Sequence, residues 1–147
     1  MENNLPPDIL LVEDNPSDEE LTLHALSQKE LAENIKVIRD GAEALDFLFG
    51  KGNYQGLQEP NPPRLILLDL KLPKVNGLEV LEKIKAHPQT RNIPVVVFSS
   101  SDQEQDIRQS YALGANSFIT KPVDFNQFSK TVQQVGSYWL KVNQQAA

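Results

Sequence analysis

Apolar residues fall along this chain in five short runs: Ile9 to Val12, Ile35 to Ile38, Leu65 to Leu68, Val95 to Phe98, and Phe118 with Ile119. The runs are rich in β-branched residues, and three are nearly all apolar. That pattern predicts strands covered on both faces, as in a parallel sheet. Between them the pattern changes to a helical period. Asn15 predicts a cap, with Pro16 at the first helical position and Asp18, Glu19 and Glu20 in the first turn. Leu21, Ala25 and Leu26 give that helix an inner face. Asp40-Gly41 turns the chain into a second helix carrying Leu45, Leu48 and Phe49. Leu78, Leu81 and Ile84 mark a third, which His87-Pro88 ends. Ser101 with Glu104, or Asp102 with Gln105, offers a capping box for a fourth, lined by Ile107 and Tyr111 and closed by Gly114. Asp124 with Gln127 starts a fifth.

The order is strand–helix, five times over. Right-handed crossovers turn such a string into a doubly wound α/β sheet with helices on both faces. The expected fold class is a flavodoxin-like sheet of five parallel strands in the order 2-1-3-4-5, with its functional site beyond the carboxyl ends of the strands. The expected organisation is a flexible N-terminus over residues 1–7, one domain over 8–142, and a tail over 143–147. Within the domain, Gly50 to Pro63 (GKGNYQGLQEPNPP) has three Gly and three Pro and reads as an extended loop.

Length and composition narrow the function classes. A single domain of 147 residues buries roughly two-thirds of its unfolded surface and needs no staples. There is no cysteine, so neither disulfides nor thiolate metal sites are available. The start, MENNLPPD, lacks the basic and apolar stretches of a signal peptide, and no segment has the apolar length of a membrane span. A soluble, cytoplasmic protein is expected. The net charge is −6, with Lys and Arg scattered, which argues against a nucleic-acid partner.

The residues just after the apolar runs carry the chemistry. Glu13 and Asp14 follow the first, Asp69 the third, Ser99 to Ser101 the fourth, and Thr120, Lys121 and Pro122 the fifth. A carboxylate at the edge of a core is costly unless compensated. Three together raise each other's pKa values, and a divalent cation relieves the repulsion. The all-oxygen set suits Mg²⁺. Lys121 supplies a positive charge for a phosphoryl oxygen, and a carboxylate can serve as a nucleophile. The set points to phosphoryl transfer, with Asp69 as acceptor. Each residue alone has a plainer reading: Asp69 as a turn carboxylate, Glu13 and Asp14 as first-turn acids, Lys121 as a surface lysine.

The motifs LLVEDNPSD, LILLDLKLPKVNG, PVVVFSSS and GANSFITKPVD occur in that order. On them, residues 8 to 135 resemble a response-regulator receiver domain of the CheY-like family. The resemblance implies that Asp69 takes phosphate from a kinase's phosphohistidine. It implies that Asp14 and Asp69 hold Mg²⁺ directly, Glu13 through water, with the backbone carbonyl of Lys71 completing the protein ligands. It further implies that Ser99 donates to the phosphoryl group, that Lys121 pairs with it across a cis Lys121-Pro122 bond, and that Phe118 is a switch aromatic. Ser99 stands where Thr is commoner, and Phe118 where Tyr is more frequent. The long loop, LDLKLPKVNG and SYWLKVN look similar to single-domain regulators paired with cyanobacterial phytochrome histidine kinases, which makes such a kinase the expected partner.

The expectation is therefore a stand-alone phosphoacceptor and not an enzyme acting on a released substrate. A small aspartyl-phosphate phosphatase or phosphotransferase stays open as an alternative, although Lys71 stands where such an enzyme would place a second carboxylate. A pseudo-receiver that only binds is the other. A flavin module would need a Ser/Thr/Gly-rich phosphate loop where EDNPSD stands. The last helix adds a heptad seam: Phe125, Phe128, Val132, Val135, Trp139 and Val142 alternate at three and four. Phe128, Val132, Val135, Trp139 and Val142 are the expected contacts of a homodimer through this helix, the alternative being a tail folded back on its own domain.

Overall fold

The computed structural model describes residues 7–55 and 62–145. Most of the expected flexible N-terminus, the middle of the long loop and the last two residues of the tail lie outside them. Five strands, β1 (Ile9–Val12), β2 (Ile35–Ile38), β3 (Leu65–Leu68), β4 (Val95–Ser99) and β5 (Ser117–Thr120), form one parallel sheet in the order β2-β1-β3-β4-β5. Five helices follow them in turn: α1 (Pro16–Gln28), α2 (Gly41–Phe49), α3 (Gly77–Ala86), α4 (Glu104–Ala112) and α5 (Phe125–Ser137). Among the described residues, no helix is long and apolar enough to cross a membrane.

Consecutive strand residues point to opposite faces, which explains why the runs are apolar throughout. Leu10, Val12, Ile66, Leu68, Val95 and Val97 pack on the face covered by α2 and α3. Ile9, Leu11, Leu65, Leu67, Val96 and Phe98 pack on the opposite face with residues of α1 and α5.

Four helix starts follow the local signals. The side chains of Asn15, Asp40, Asn76 and Asp124 accept the N–H groups of Asp18, Glu43, Glu79 and Gln127. The fourth helix departs from expectation. Neither capping box forms; Gln103 stands at the N-cap position without a side-chain bond. Ser101 Oγ instead donates to Asp106 Oδ2 at 2.6 Å and accepts Gln103 N–H at 3.2 Å. The Ser101 oxygen is thus used before the helix begins, on Gln103 N–H, and its proton ties the loop to α4.

The last helix is also corrected. Phe128, Val132 and Val135 are buried in the chain's own core, where Phe128 meets Phe98 with ring centroids 5.0 Å apart. They are not available as dimer contacts, because the same spacing is what a helix uses to cover a sheet. The helix then widens into a π turn over Tyr138–Val142. Trp139 packs partly on that core, while Val142 is exposed. Arg64 donates to the Leu140 carbonyl, and Gln145 Nε2 donates to the Arg64 carbonyl at 2.7 Å. This end of the chain therefore folds back on its own domain.

Candidate functional site

Strand register decides which side chains meet. Val12 stands opposite Leu68, and Ser99 opposite Thr120. Glu13, Asp69, Ser99 and Lys121 therefore leave the sheet at one edge. Backbone bonds tie these ends together: Asp69 N–H to Val12 at 3.0 Å, Glu13 N–H to Ile38 at 3.0 Å, and Lys121 N–H to Ser99 at 2.7 Å.

Three carboxylates converge on one ammonium. Lys121 Nζ donates to Glu13 Oε1 at 2.8 Å, Asp18 Oδ2 at 2.8 Å and Asp69 Oδ2 at 3.0 Å. The lysine and the Glu13 and Asp69 side chains are at most 9 % exposed, whereas Asp18 is 24 % exposed. The remaining oxygens are also used: Glu13 Oε2 accepts Asn15 N–H at 3.1 Å, and Asp69 Oδ1 accepts Lys71 N–H at 3.3 Å. Asp14 is exposed and has no hydrogen bond or ion pair among the described residues.

Burial pushes the Glu13 carboxyl from its ordinary 4.5 up to about 7; Lys121 pulls against this and the Asp69 charge adds a smaller push. Desolvation therefore outweighs the carboxylate repulsion expected from the sequence. For Lys121, burial alone would lower the pKa. Its hydrogen bonds to Asp18 and Glu13 and the charges of Asp69 and Glu13 reverse that, so the lysine stays firmly protonated.

The loop after β3 is set by a close approach. Gly77 N–H donates to the Leu70 carbonyl at 2.9 Å. A Cβ at Gly77 would lie 2.3 Å from the Asp69 carbonyl oxygen and 2.5 Å from Leu70 Cα. Glycine thus lets α3 start against the backbone that carries Asp69. On the other side, Ser99 is fully buried and its Oγ accepts Ser101 N–H at 3.2 Å. Thr120 Oγ1 donates to the Ser101 carbonyl at 3.1 Å. Phe118 is partly buried against the core, and its N–H donates to the Tyr111 hydroxyl at 3.1 Å.

One expectation fails here. The Lys121-Pro122 bond is trans, since no peptide bond among the described residues is cis. Trans is the lower-energy isomer, and the lysine reaches its carboxylates from it. Of the expected metal ligands Glu13, Asp14, Asp69 and Lys71, the first and third meet at Lys121 Nζ, and Asp14 and Lys71 lie one and two residues beyond them. Among the described residues no three acidic, His or Cys side chains are grouped to hold a metal, and the Lys121 ammonium occupies the convergence point. The donor chemistry still fits a hard cation: every available ligand is an oxygen, and Asp14 is unengaged. Sequence reasoning also missed Asp18. Its first-turn place on α1 suits a helix-dipole acid, but that place, three residues after Asn15, also carries it to Lys121 Nζ at 2.8 Å.

The response regulator receiver domain matches residues 9–133. The chain belongs to this family. Response regulator Rcp1 of Synechocystis sp. is 41% identical over 140 residues, covering 95% of this chain and 93% of that protein. The crystal structure of its Mn²⁺-bound form aligns with a TM-score of 0.87 at 39% identity, over 97% of this chain and all 100% of that one. The phosphorylated cyanobacterial phytochrome response regulator RcpA aligns with a TM-score of 0.88 at 39% identity, over 97% of this chain and 99% of that one. The bacteriophytochrome response regulator AtBRR is 52% identical with a TM-score of 0.73, over 97% of this chain and 100% of that one. This receiver thus shares its sheet order with the family and belongs to two-component signalling, among relatives linked to phytochromes.

Proposed function

We propose that this receiver accepts a phosphoryl group on Asp69 from the phosphohistidine of a phytochrome-type sensor histidine kinase, with Mg²⁺ as cofactor, and signals in the cytoplasm through protein–protein contact. The observation that carries the reading is the Lys121–Asp69 pair at 3.0 Å beside buried Glu13.

In the transfer, an Asp69 oxygen attacks phosphorus and forms an O–P bond. The P–N bond breaks, and its electron pair leaves with the imidazole nitrogen, which takes a proton from solvent. Lys121 turns from the Asp69 oxygen to a phosphoryl oxygen. The Ser99 hydroxyl, whose oxygen accepts Ser101 N–H, donates its proton to another. Asp14, Asp69, Glu13 and the Lys71 carbonyl are the oxygens that would hold Mg²⁺, and the ion when bound neutralises charge on the transferred group. The Mn²⁺-bound form of Rcp1 and the phosphorylated form of RcpA support both parts of this reading. Movement of Ser99 would release the β4–α4 loop and let Phe118 turn inward, changing the surface offered to partners.

The partner surface is suggested by two exposed apolar side chains beside Lys121: Val123, 97 % exposed, and Phe125, 70 % exposed. Two and four residues after Lys121, they stand beside the charged site in the chain, where a docking kinase would meet them. A homodimer keeps only the outer side of the last turn, at Tyr138 and Val142, as its exposed apolar surface on this segment.

The test is intact mass after incubation with Mg²⁺ and phosphoramidate, with Asp69→Asn alongside. A gain of one phosphoryl group that requires both Mg²⁺ and Asp69 is expected. No gain from phosphoramidate or from a phosphorylated phytochrome-type kinase would overturn the reading in favour of a receiver that works by binding alone.

A further inference from the structure

Lys121 has three ammonium protons and three carboxylate acceptors, so its hydrogen bonding is complete. Those acceptors differ in what else is asked of them. On the phosphoacceptor reading, Asp69 gives up its oxygen to phosphorus, and Glu13 and Asp69 both turn toward the cation. Asp18 has neither task. It belongs to α1 and not to a strand end, and its own backbone is fixed: its N–H donates to Asn15 Oδ1 at 3.1 Å and its carbonyl accepts buried Thr22 Oγ1 at 2.7 Å. The Asp18 side chain therefore projects toward Lys121 from a rigid first turn, at 2.8 Å.

We infer that Asp18 is a positioning residue for Lys121. It keeps one ammonium proton engaged while Glu13 and Asp69 are drawn away, and leaves the other two directed at the transferred group. An untethered lysine on a four-carbon stem would lose that direction, since Lys is a flexible point charge. With Asp18 in place, the ammonium enters the reaction already aimed.

This inference rests on the phosphoacceptor reading, and its test has one arm that does not. In the first arm, lysine side-chain ¹⁵N spectra are recorded with saturating Mg²⁺, and Lys121 is assigned from the signal missing in Lys121→Arg. A sheltered, hydrogen-bonded ammonium gives a narrow signal. It is expected to persist in the parent protein, to broaden or vanish in Asp18→Ala, and to return in part in Asp18→Glu. An unchanged Lys121 signal in Asp18→Ala overturns the inference, whether or not phosphoryl transfer occurs.

In the second arm, the phosphorylation rate with phosphoramidate is measured in Asp18→Asn and Asp18→Ala, alone and with Lys121→Ala. Asp18→Asn keeps the size of the side chain, so a rate loss there reports charge and not folding. Loss of a residue that orients the reacting shell costs roughly 10- to 100-fold, and the same loss is expected here. In the Lys121→Ala background Asp18→Ala is expected to cost nothing more, because the two act as one unit. A wild-type rate in Asp18→Ala, or an equal further loss without Lys121, overturns the proposal. If the parent protein takes up no phosphoryl group at all, it is the phosphoacceptor reading that fails, and the spectra alone judge Asp18.

Discussion

Asp69 and Gly77 are eight residues apart, yet a side chain on Gly77 would come within 2.3 Å of the Asp69 carbonyl oxygen. The loop between them doubles back so that α3 begins against the backbone that carries the Asp69 carboxylate. The contact is with main chain, which cannot swing aside as a flexible side chain can. Gly77→Ala is therefore expected to destabilise by about 1–3 kcal/mol, the usual cost of overpacking. It should also slow Asp69 phosphorylation, because relief of the clash moves the Asp69 backbone. Urea unfolding and intact mass after phosphoramidate treatment check the two effects. A variant of unchanged stability would mean that the approach is looser than described.

Phe128 discriminates between two uses of the heptad seam. It is 3 % exposed and packs on Phe98. Phe128→Ala is expected to cost about 3–5 kcal/mol in the monomer, as for other large aromatics removed from a core. A residue waiting on the surface for a partner would cost about 0.5 kcal/mol or less. Denaturant midpoints at low protein concentration, where any dimer has dissociated, separate the two.

These two residues also mark what was legible in the sequence. Strand existence, strand order and helix caps could be read because each depends on local signals: apolar runs, Asn15, Asp40 and Asp124. The meeting of Glu13, Asp69 and Lys121 could be read because parallel topology puts every strand's carboxyl end on one edge. Three features resisted for different physical reasons. The seam from Phe128 to Val142 has the same spacing whether it meets a sheet or a partner, so spacing alone cannot choose. Asp18 carries an N-terminal helix signature that also suits an exposed acid, and only the reach of Lys121 from β5 shows its other partner. The fourth helix's cap is not legible because Ser101 makes a tighter local turn: its Oγ accepts Gln103 N–H, two residues on, while its proton goes to Asp106.

On the proposed reading, Val123 and Phe125 allow recognition to be tested apart from chemistry. Both are exposed, and the Lys121 ammonium bonds to Glu13, Asp18 and Asp69 instead. Val123→Asp with Phe125→Ala is expected to leave the phosphoramidate rate within about twofold and the fold stability within about 0.5 kcal/mol, as for surface changes. Transfer from a phosphorylated phytochrome-type kinase should fall about tenfold or more, since apolar anchors at an interface each contribute more than about 1 kcal/mol. Equal losses with both donors would move these residues from docking into the site's own architecture.

The raised Glu13 carboxyl gives a pH dependence whose sign can be worked out. Its folded value, about 7, lies above its ordinary value of 4.5. Between these values the unfolded chain has released the proton and the native protein still holds it. Native protein then binds more protons than unfolded, so this group's contribution to stability falls as pH rises from about 4.5 to about 7 and is level above that. A divalent cation reverses the preference, because it favours the ionised carboxylate, and its binding releases the proton. The rise in melting temperature produced by saturating Mg²⁺ is therefore expected to be larger at pH 8 than at pH 6. Glu13→Gln should flatten both trends: its metal-free stability should vary less between pH 5 and 7, and its Mg²⁺ response should differ less between pH 6 and 8. The decisive comparison is the parent protein against Glu13→Gln by calorimetry at both pH values. If the two proteins show the same pH dependence, the titrating group is not Glu13, and burial at the end of β1 does not set the cation affinity of this site.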